Sequence, residues 1–279
     1  MVLLRIFVFS LFLILPLTAE GERYTWLEDK HIKIKVAGTI DTPNGYERIN
    51  TEKGSFAHWL RHLPLKAKEK PVYLYNGKKK LNQDAHFAVI DIDTGRRDLQ
   101  QCADAVMRLK AEYLYSKKDY AAIHFNFTSG HIASFTKWAD GFRPVVSGNR
   151  VSWIKKAAAG SSYGNFRKYL DSVFTYAGSY SLSKELKSVS DIANMKIGDV
   201  FIKGGFPGHA VMVVDMAYNK NTGKKVFLLA QSYMPAQDIH ILKNPKDGTL
   251  SPWYDIEFGS TLYTPEWTFY KQELKRFPQ

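Results

Sequence analysis

A single cysteine, Cys102, stands in 279 residues, and that scarcity excludes an internal disulfide framework. An unpaired thiol in an exported chain is a liability, so Cys102 is either buried or chemically employed. Long apolar runs are missing too: beyond residue 17 nothing approaches the about 20 apolar residues that a membrane-crossing helix requires. Acidic residues are outnumbered, 27 against 39 lysines and arginines, and the resulting net charge of +12 favours polyanionic partners such as an envelope or acidic wall polymer. Zinc-finger spacing, a ribonucleoprotein signature and a helix-turn-helix pattern are absent, which argues against nucleic acid. No internal repeat, low-complexity linker or break in composition divides the chain.

Residues 1–19 read as a secretory signal, with Arg5 before the apolar stretch Ile6 to Leu17 and the small-residue site Leu17-Thr18-Ala19. The expectation is an exported protein, periplasmic or extracellular, with no stable membrane insertion once the signal is removed. No cysteine lies in that segment to accept a lipid. Its only charge is Arg5, so the mature chain keeps all but one of the +12. Residues 20–44 form a lead-in in which "HIKIKVAG" alternates as a strand does, and residues 45–277 form one domain. The lysines of "NGKKKL", "SKELK" and "NTGKKV" sit in turn-like contexts and read as solvated surface.

"SFAHWLRHLPL" (55–65) reads as a short helix presenting His58 and His62 on one face, without a third ligand for a metal. "HFAVIDIDTG" (86–95) is an expected strand. "DLQQCADAVMRLKAEYLYS" is an expected helix, with Asp98 spaced as cap and Gln101 as the third helical residue of a capping box. "GNFRKYLDSVFTYAG" is a second helix. From Gly198 onward the pattern turns to short apolar strands, "DVFIKGG", "HAVMVVDMAY", "KVFLLAQSYM" and "DIHIL", with "YNKNTGKK" joining the second and third as a hairpin. Helices early and an antiparallel sheet late indicate an α+β protein.

Cys102 near a helix start meets aligned backbone amides that favour a thiolate. It also shares a helical stripe with Leu99, Val106, Leu109 and Tyr113, so the same residue equally fits a core position. His209 opens an apolar strand directly behind the loop "KGGFPG", and Gln231 follows the apolar run of the next strand. A hairpin brings such residues side by side, so that Gln231 can fix the ring's tautomer while the ring serves a thiol nucleophile. Asp215, six residues after His209, reads either as an alternative orienter or, more simply, as an exposed strand-end carboxylate. His124, His131 and His240 show no ligand spacing.

The succession "IGDVFI", "GHAVMVVD" and "LLAQSY", preceded by the cysteine helix, resembles the papain-like enzymes of bacterial cell walls, the NlpC-type endopeptidases and the cysteine- and histidine-dependent amidohydrolases. "DLQQCADAVMRL", "GDVFIKGGFPGHAVMVVD", "LLAQSYMPAQDIHIL" and "TPEWTF" resemble an exported bacterial family known as domain of unknown function 4846, over roughly residues 45–277. The resemblance implies a papain-like fold, with N-terminal helices packed on a C-terminal antiparallel sheet. It implies Cys102 as nucleophile, His209 as base and Gln231 as orienter, with no metal or organic cofactor. The substrate it implies is an amide of cell-wall peptide. The alternative is a non-catalytic module of the same fold that holds acidic wall polymer.

The signal-like segment generates the first prediction: amino-terminal sequencing of the native protein finds a start near Glu20, in a soluble fraction outside the cytoplasm. An intact Met1 recovered with membranes overturns it.

Overall fold

Nine consecutive residues of one strand, His209 to Ala217, are buried. A strand with apolar side chains on both faces must be covered on both, and this requirement organises the fold. The computed structural model describes residues 24–27 and 34–278, so the expected signal at 1–19 lies outside the described residues. The central sheet contains β1 (Tyr46–Arg48), β2 (His86–Val89), β3 (Lys187–Ser188), β4 (Val200–Lys203), β5 (His209–Asn219), β6 (Lys225–Gln231), β7 (His240–Leu242), β8 (Tyr254–Asp255) and β9 (Leu274–Arg276). Its order is β2-β7-β6-β5-β4-β9-β3, with β1 pairing the far end of β5 and β8 pairing β6. Every pairing is antiparallel.

The late run of strands lies where periodicity places it, and Asn219 N–H closes the β5–β6 hairpin on Lys224 O at 2.8 Å. The α+β class holds, but the expected segregation of early helices from a late sheet does not. Strands β1, β2 and β3 come from the first 190 residues and enter the same sheet. Each occupies an edge or a partial edge, where it pairs backbone groups that the late strands would otherwise leave open. The lead-in strand is also corrected: of "HIKIKVAG", residues 31–33 lie outside the described residues and Val36–Thr39 forms one helical turn. Ile40 N–H bonds Val36 O, and Val36 is fully buried, so local closure wins over alternation.

The helix Cys102–Ser116 packs against the sheet, yet eleven of its residues are buried on all sides. The helices Tyr163–Tyr176 and Phe56–Arg61 cover it, with Phe166 stacked on Tyr115 at 4.3 Å between centroids and Phe56 against Tyr113 at 5.1 Å. A helix enclosed this way must satisfy its own polar groups. Arg108 Nε reaches Glu112 Oε1 at 2.6 Å with both side chains fully buried, Arg108 Nη1 donates to Gln100 Oε1 at 2.7 Å, and Tyr163 Oη donates to Glu112 Oε1 at 2.8 Å. These bonds tie the helix to Gln100 just before it and to Tyr163 of the covering helix.

Asp215 is not an exposed strand-end carboxylate, and it does not orient His209. It is fully buried within β5, and its two oxygens accept from Arg48 Nε and Arg61 Nε, each at 2.7 Å. The extra residue of a β-bulge separates Leu228↔Asp215 from Leu229↔Val213 in the β5–β6 ladder. The carboxylate's role is therefore to fasten Arg61 of the short helix and Arg48 of β1 to the centre of the sheet. Removing one partner of such a group strands a buried charge, so Asp215→Ala is expected to lower stability by about 3–5 kcal/mol. Urea unfolding of the variant checks this, and a loss below about 1 kcal/mol would refute the fastening role.

Candidate active site

Three elements meet around a cleft of about 560 Å³: the start of the Cys102 helix, the loop before β5 and the segment after β6. Cys102 and His209 both line it. The helix begins at Cys102 itself, with Gln101 as its N-cap, one turn later than the Asp98 cap that the spacing predicts. Asp98 is drawn elsewhere, because its Oδ1 accepts from Gln101 Nε2 at 3.0 Å and from Ala236 N–H at 2.7 Å. Asp104 takes the N3 position and accepts Gln101 N–H at 3.1 Å. Cys102 is thus the first helical residue, and the amides at that end have no partner within the helix.

The glycines before His209 are explained by close approach. A Cβ on Gly208 would strike Gly205 O and Ser179 Oγ, and one on Gly204 would strike Ser183 Oγ. The loop therefore lies directly on the helix Ser179–Glu185, which forms one wall of the cleft. Phe206, Met234 and Tyr180 stand exposed around its mouth.

His209 is 2% exposed and packed among Tyr233, Trp267 and Phe269, at centroid distances of 4.7, 5.3 and 5.8 Å. Its Nε2 meets Gln231 Oε1 at 2.8 Å, so the pairing expected across the hairpin is present. The amide's orientation follows from its other end. Gln231 Nε2 donates to Glu266 Oε2 at 3.0 Å, and the same oxygen accepts from Lys80 Nζ at 2.6 Å. Only an amide nitrogen can donate to that carboxylate, so Oε1 faces the ring and Nε2 of His209 carries the proton. Nδ1 then holds the basic lone pair. The chain continues consistently: Gln231 Nε2 reaches His240 Nε2 at 3.3 Å, and His240 Nδ1 donates to Asp238 O at 2.9 Å.

Glu266, Lys80, His240, Tyr233 and Trp267 are thus site residues that residue spacing does not reveal. Lys80 belongs to "NGKKKL", expected as solvated surface, yet it is only 7% exposed. Its burial follows from Glu266, which lies 186 residues away in the chain. Glu266 does fall inside "TPEWTF", one of the stretches that carry the family resemblance. His58 and His62 share one helix face as expected, with ring centroids 4.2 Å apart, and lie outside the cleft.

The proton positions differ from the expected thiolate. Burial, and then the Asp104 carboxyl, push the Cys102 thiol up to about 11, against the amides of Ala103, Ala210 and Cys102 that lower it. Burial brings His209 down to about 4, although Gln231 partly offsets this. Both groups are neutral at pH 7: the enclosure outweighs the helix start.

Compared with known proteins, residues 36–276 match one family model, described as a domain of unknown function (4846). No curated protein and no solved structure matches the chain.

A thiol at about 11 is roughly one ten-thousandth thiolate at pH 7, since each pH unit changes the ratio tenfold. Alkylation of Cys102 by iodoacetamide is therefore expected to rise with pH past the midpoint of a free thiol, about 8.5. Asp104→Asn shifts that midpoint downward. A rate–pH profile with a midpoint below that of free cysteine would instead demonstrate a resting thiolate–imidazolium pair.

Proposed function

This chain belongs to the family described as domain of unknown function 4846, and from its site we propose that it is an exported, papain-like, thiol-dependent hydrolase or transferase acting on an amide bond of cell-wall peptide. One observation carries the reading: a histidine whose Nε2–H is held by Gln231, and whose ring shares a cleft with the chain's single cysteine at a helix start. The amide, carboxylate and lysine in series fix that tautomer and leave the basic lone pair on Nδ1. The proposal of export is supported by the pattern of residues 1–19, and the choice of wall peptide by the resemblance of the cysteine helix and late strands to wall peptidases.

In the proposed reaction Cys102 Sγ attacks the scissile carbonyl while its proton passes to His209 Nδ1. Since thiol and ring both start neutral, transfer accompanies attack instead of preceding it. The Cys102 amide at the helix start serves as a donor to the developing oxyanion. His209 then gives the proton to the leaving amine, and a thioester remains on Cys102. Water, or an acceptor amine, attacks the thioester with His209 again as base and releases the thiol. Gln231 holds the ring through both halves, and Glu266 with Lys80 holds Gln231. No metal or organic cofactor enters this scheme.

The alternative, a non-catalytic module holding acidic wall polymer, calls for a basic cleft. The charged residues lining this one are Asp98 and Asp104, with no lysine or arginine among its described walls. That lining favours the hydrolase.

Turnover of wall-derived peptides tests the proposal. Cys102→Ala is expected to abolish it, and Gln231→Ala to lower it by roughly tenfold to a hundredfold, with a loss of stability of about 1–3 kcal/mol because His209 and Glu266 lose a buried partner. Equal turnover by the parent protein and Cys102→Ala refutes the reading.

A further inference from the structure

Asp104 faces the same cleft, and the proposed chemistry leaves it without a role. Its side chain is 6% exposed, Oδ2 accepts the Gln101 amide, and Oδ1 is buried with no hydrogen-bond partner. A buried oxygen left unsatisfied is destabilising, so a donor that completes it is favoured. Asp98, the other acid of the walls, already has its Oδ1 occupied by Gln101 Nε2 and Ala236 N–H. The charged residues lining the cleft of a strongly basic protein are thus acidic, with no cationic side chain among its described walls.

We propose that Asp104 is the subsite for a primary ammonium group carried by the substrate beside its scissile carbonyl. Asp104 lies two positions after Cys102, lines the same cleft and is near enough for its carboxyl to act on the thiol, so a group held by Asp104 lies next to the attacked bond. The donor chemistry is specific: Oδ1 can accept from an N–H, whereas an anionic group there would meet a carboxyl with no cation to balance it. Burial also holds the Asp104 carboxyl well above its usual range, so an ammonium ion that docks favours its ionisation and forms a pair of zero net charge. The apolar remainder of the substrate meets Phe206, Met234 and Tyr180 at the mouth. The word substrate rests on the hydrolase reading, whereas the subsite itself does not, and the two are tested separately.

Three methanethiosulfonates probe it: the 2-aminoethyl cation, the 2-sulfonatoethyl anion and the neutral methyl reagent. In each case Cys102 Sγ forms a mixed disulfide and methanesulfinate departs, so the thiolate fraction cancels when rates are compared. With each rate divided by that of free cysteine, the cationic reagent is expected to exceed the anionic one by about tenfold or more. The protein's overall positive charge acts in the opposite sense, so such a preference must arise within the cleft. Asp104→Asn keeps the acceptor for the Gln101 amide and is expected to reduce the ratio to that of free cysteine. Should that variant fold poorly, the parent protein supplies the second measurement: ethylammonium chloride slows the cationic reagent more than sodium chloride of equal ionic strength, and spares the neutral one. A ratio unchanged by Asp104→Asn, a preference for the anion, no protection by ethylammonium, or a thiol that none of the reagents reaches would each overturn the subsite. Peptide turnover with an unchanged ratio sinks the subsite alone, and a selective ratio without turnover sinks the hydrolase alone.

Discussion

The pairing of β5 with β6 is the constraint on which the remainder depends. It carries His209 at the first residue of one strand and Gln231 at the last of the other, and its register sets Ala230 opposite Met212. A slip of one residue would turn Gln231 to the opposite face of the sheet and leave His209 Nε2 without an acceptor in an aromatic enclosure. Register is secured from both ends. On the far side of the bulge, Asp215 fixes two arginines, and at the near end Gln231 fixes the ring. The buried helix packs directly against β5 and is covered on its other side by its aromatic neighbours, so the position of the thiol follows from the sheet.

Much of this was legible in the residues. Short apolar runs bounded by turns located β4 to β7, the turn residues located the β5–β6 hairpin, and hairpin geometry alone brought His209 to Gln231. The helix of Cys102 was legible too, and its start was misplaced because Asp98, an ordinary cap candidate, is captured by the Ala236 amide 138 residues away. The same non-locality hid Lys80 and Glu266. A lysine among three in a turn carries no mark of burial, since the carboxylate that admits it to the interior comes from the other end of the chain. Asp215 misled for the opposite reason: its strand was correctly placed, but Arg48 and Arg61 belong to segments whose packing on that strand leaves no periodic trace. Edge strands of two or three residues, β1 and β3 among them, are too short to show a period at all.

Charge is distributed against its own average. The chain as a whole is basic, yet the cleft walls contribute two carboxyls, and the one nearby lysine of the site, Lys80, is spent on Glu266 behind the ring. The surface field and the site therefore act at different ranges: the first is long-ranged and screened by salt, and the second is a local, enclosed environment where single groups decide. Burial is also what separates the thiol and imidazole from the charged pair that a more exposed site would favour.

That neutral resting pair has a consequence for durability. Disulfide exchange and oxidation both begin from the thiolate, so a cysteine held at about 11 offers little of the species that thiol oxidants attack. Oxidising surroundings are hostile to a lone reactive cysteine, with no second cysteine in the chain to resolve a sulfenic acid. By enclosing Cys102 beside a carboxyl and an uncharged ring, the fold keeps the sulfur in its neutral, slowly oxidised form, and the durability of the thiol is set by the same burial that sets its reactivity.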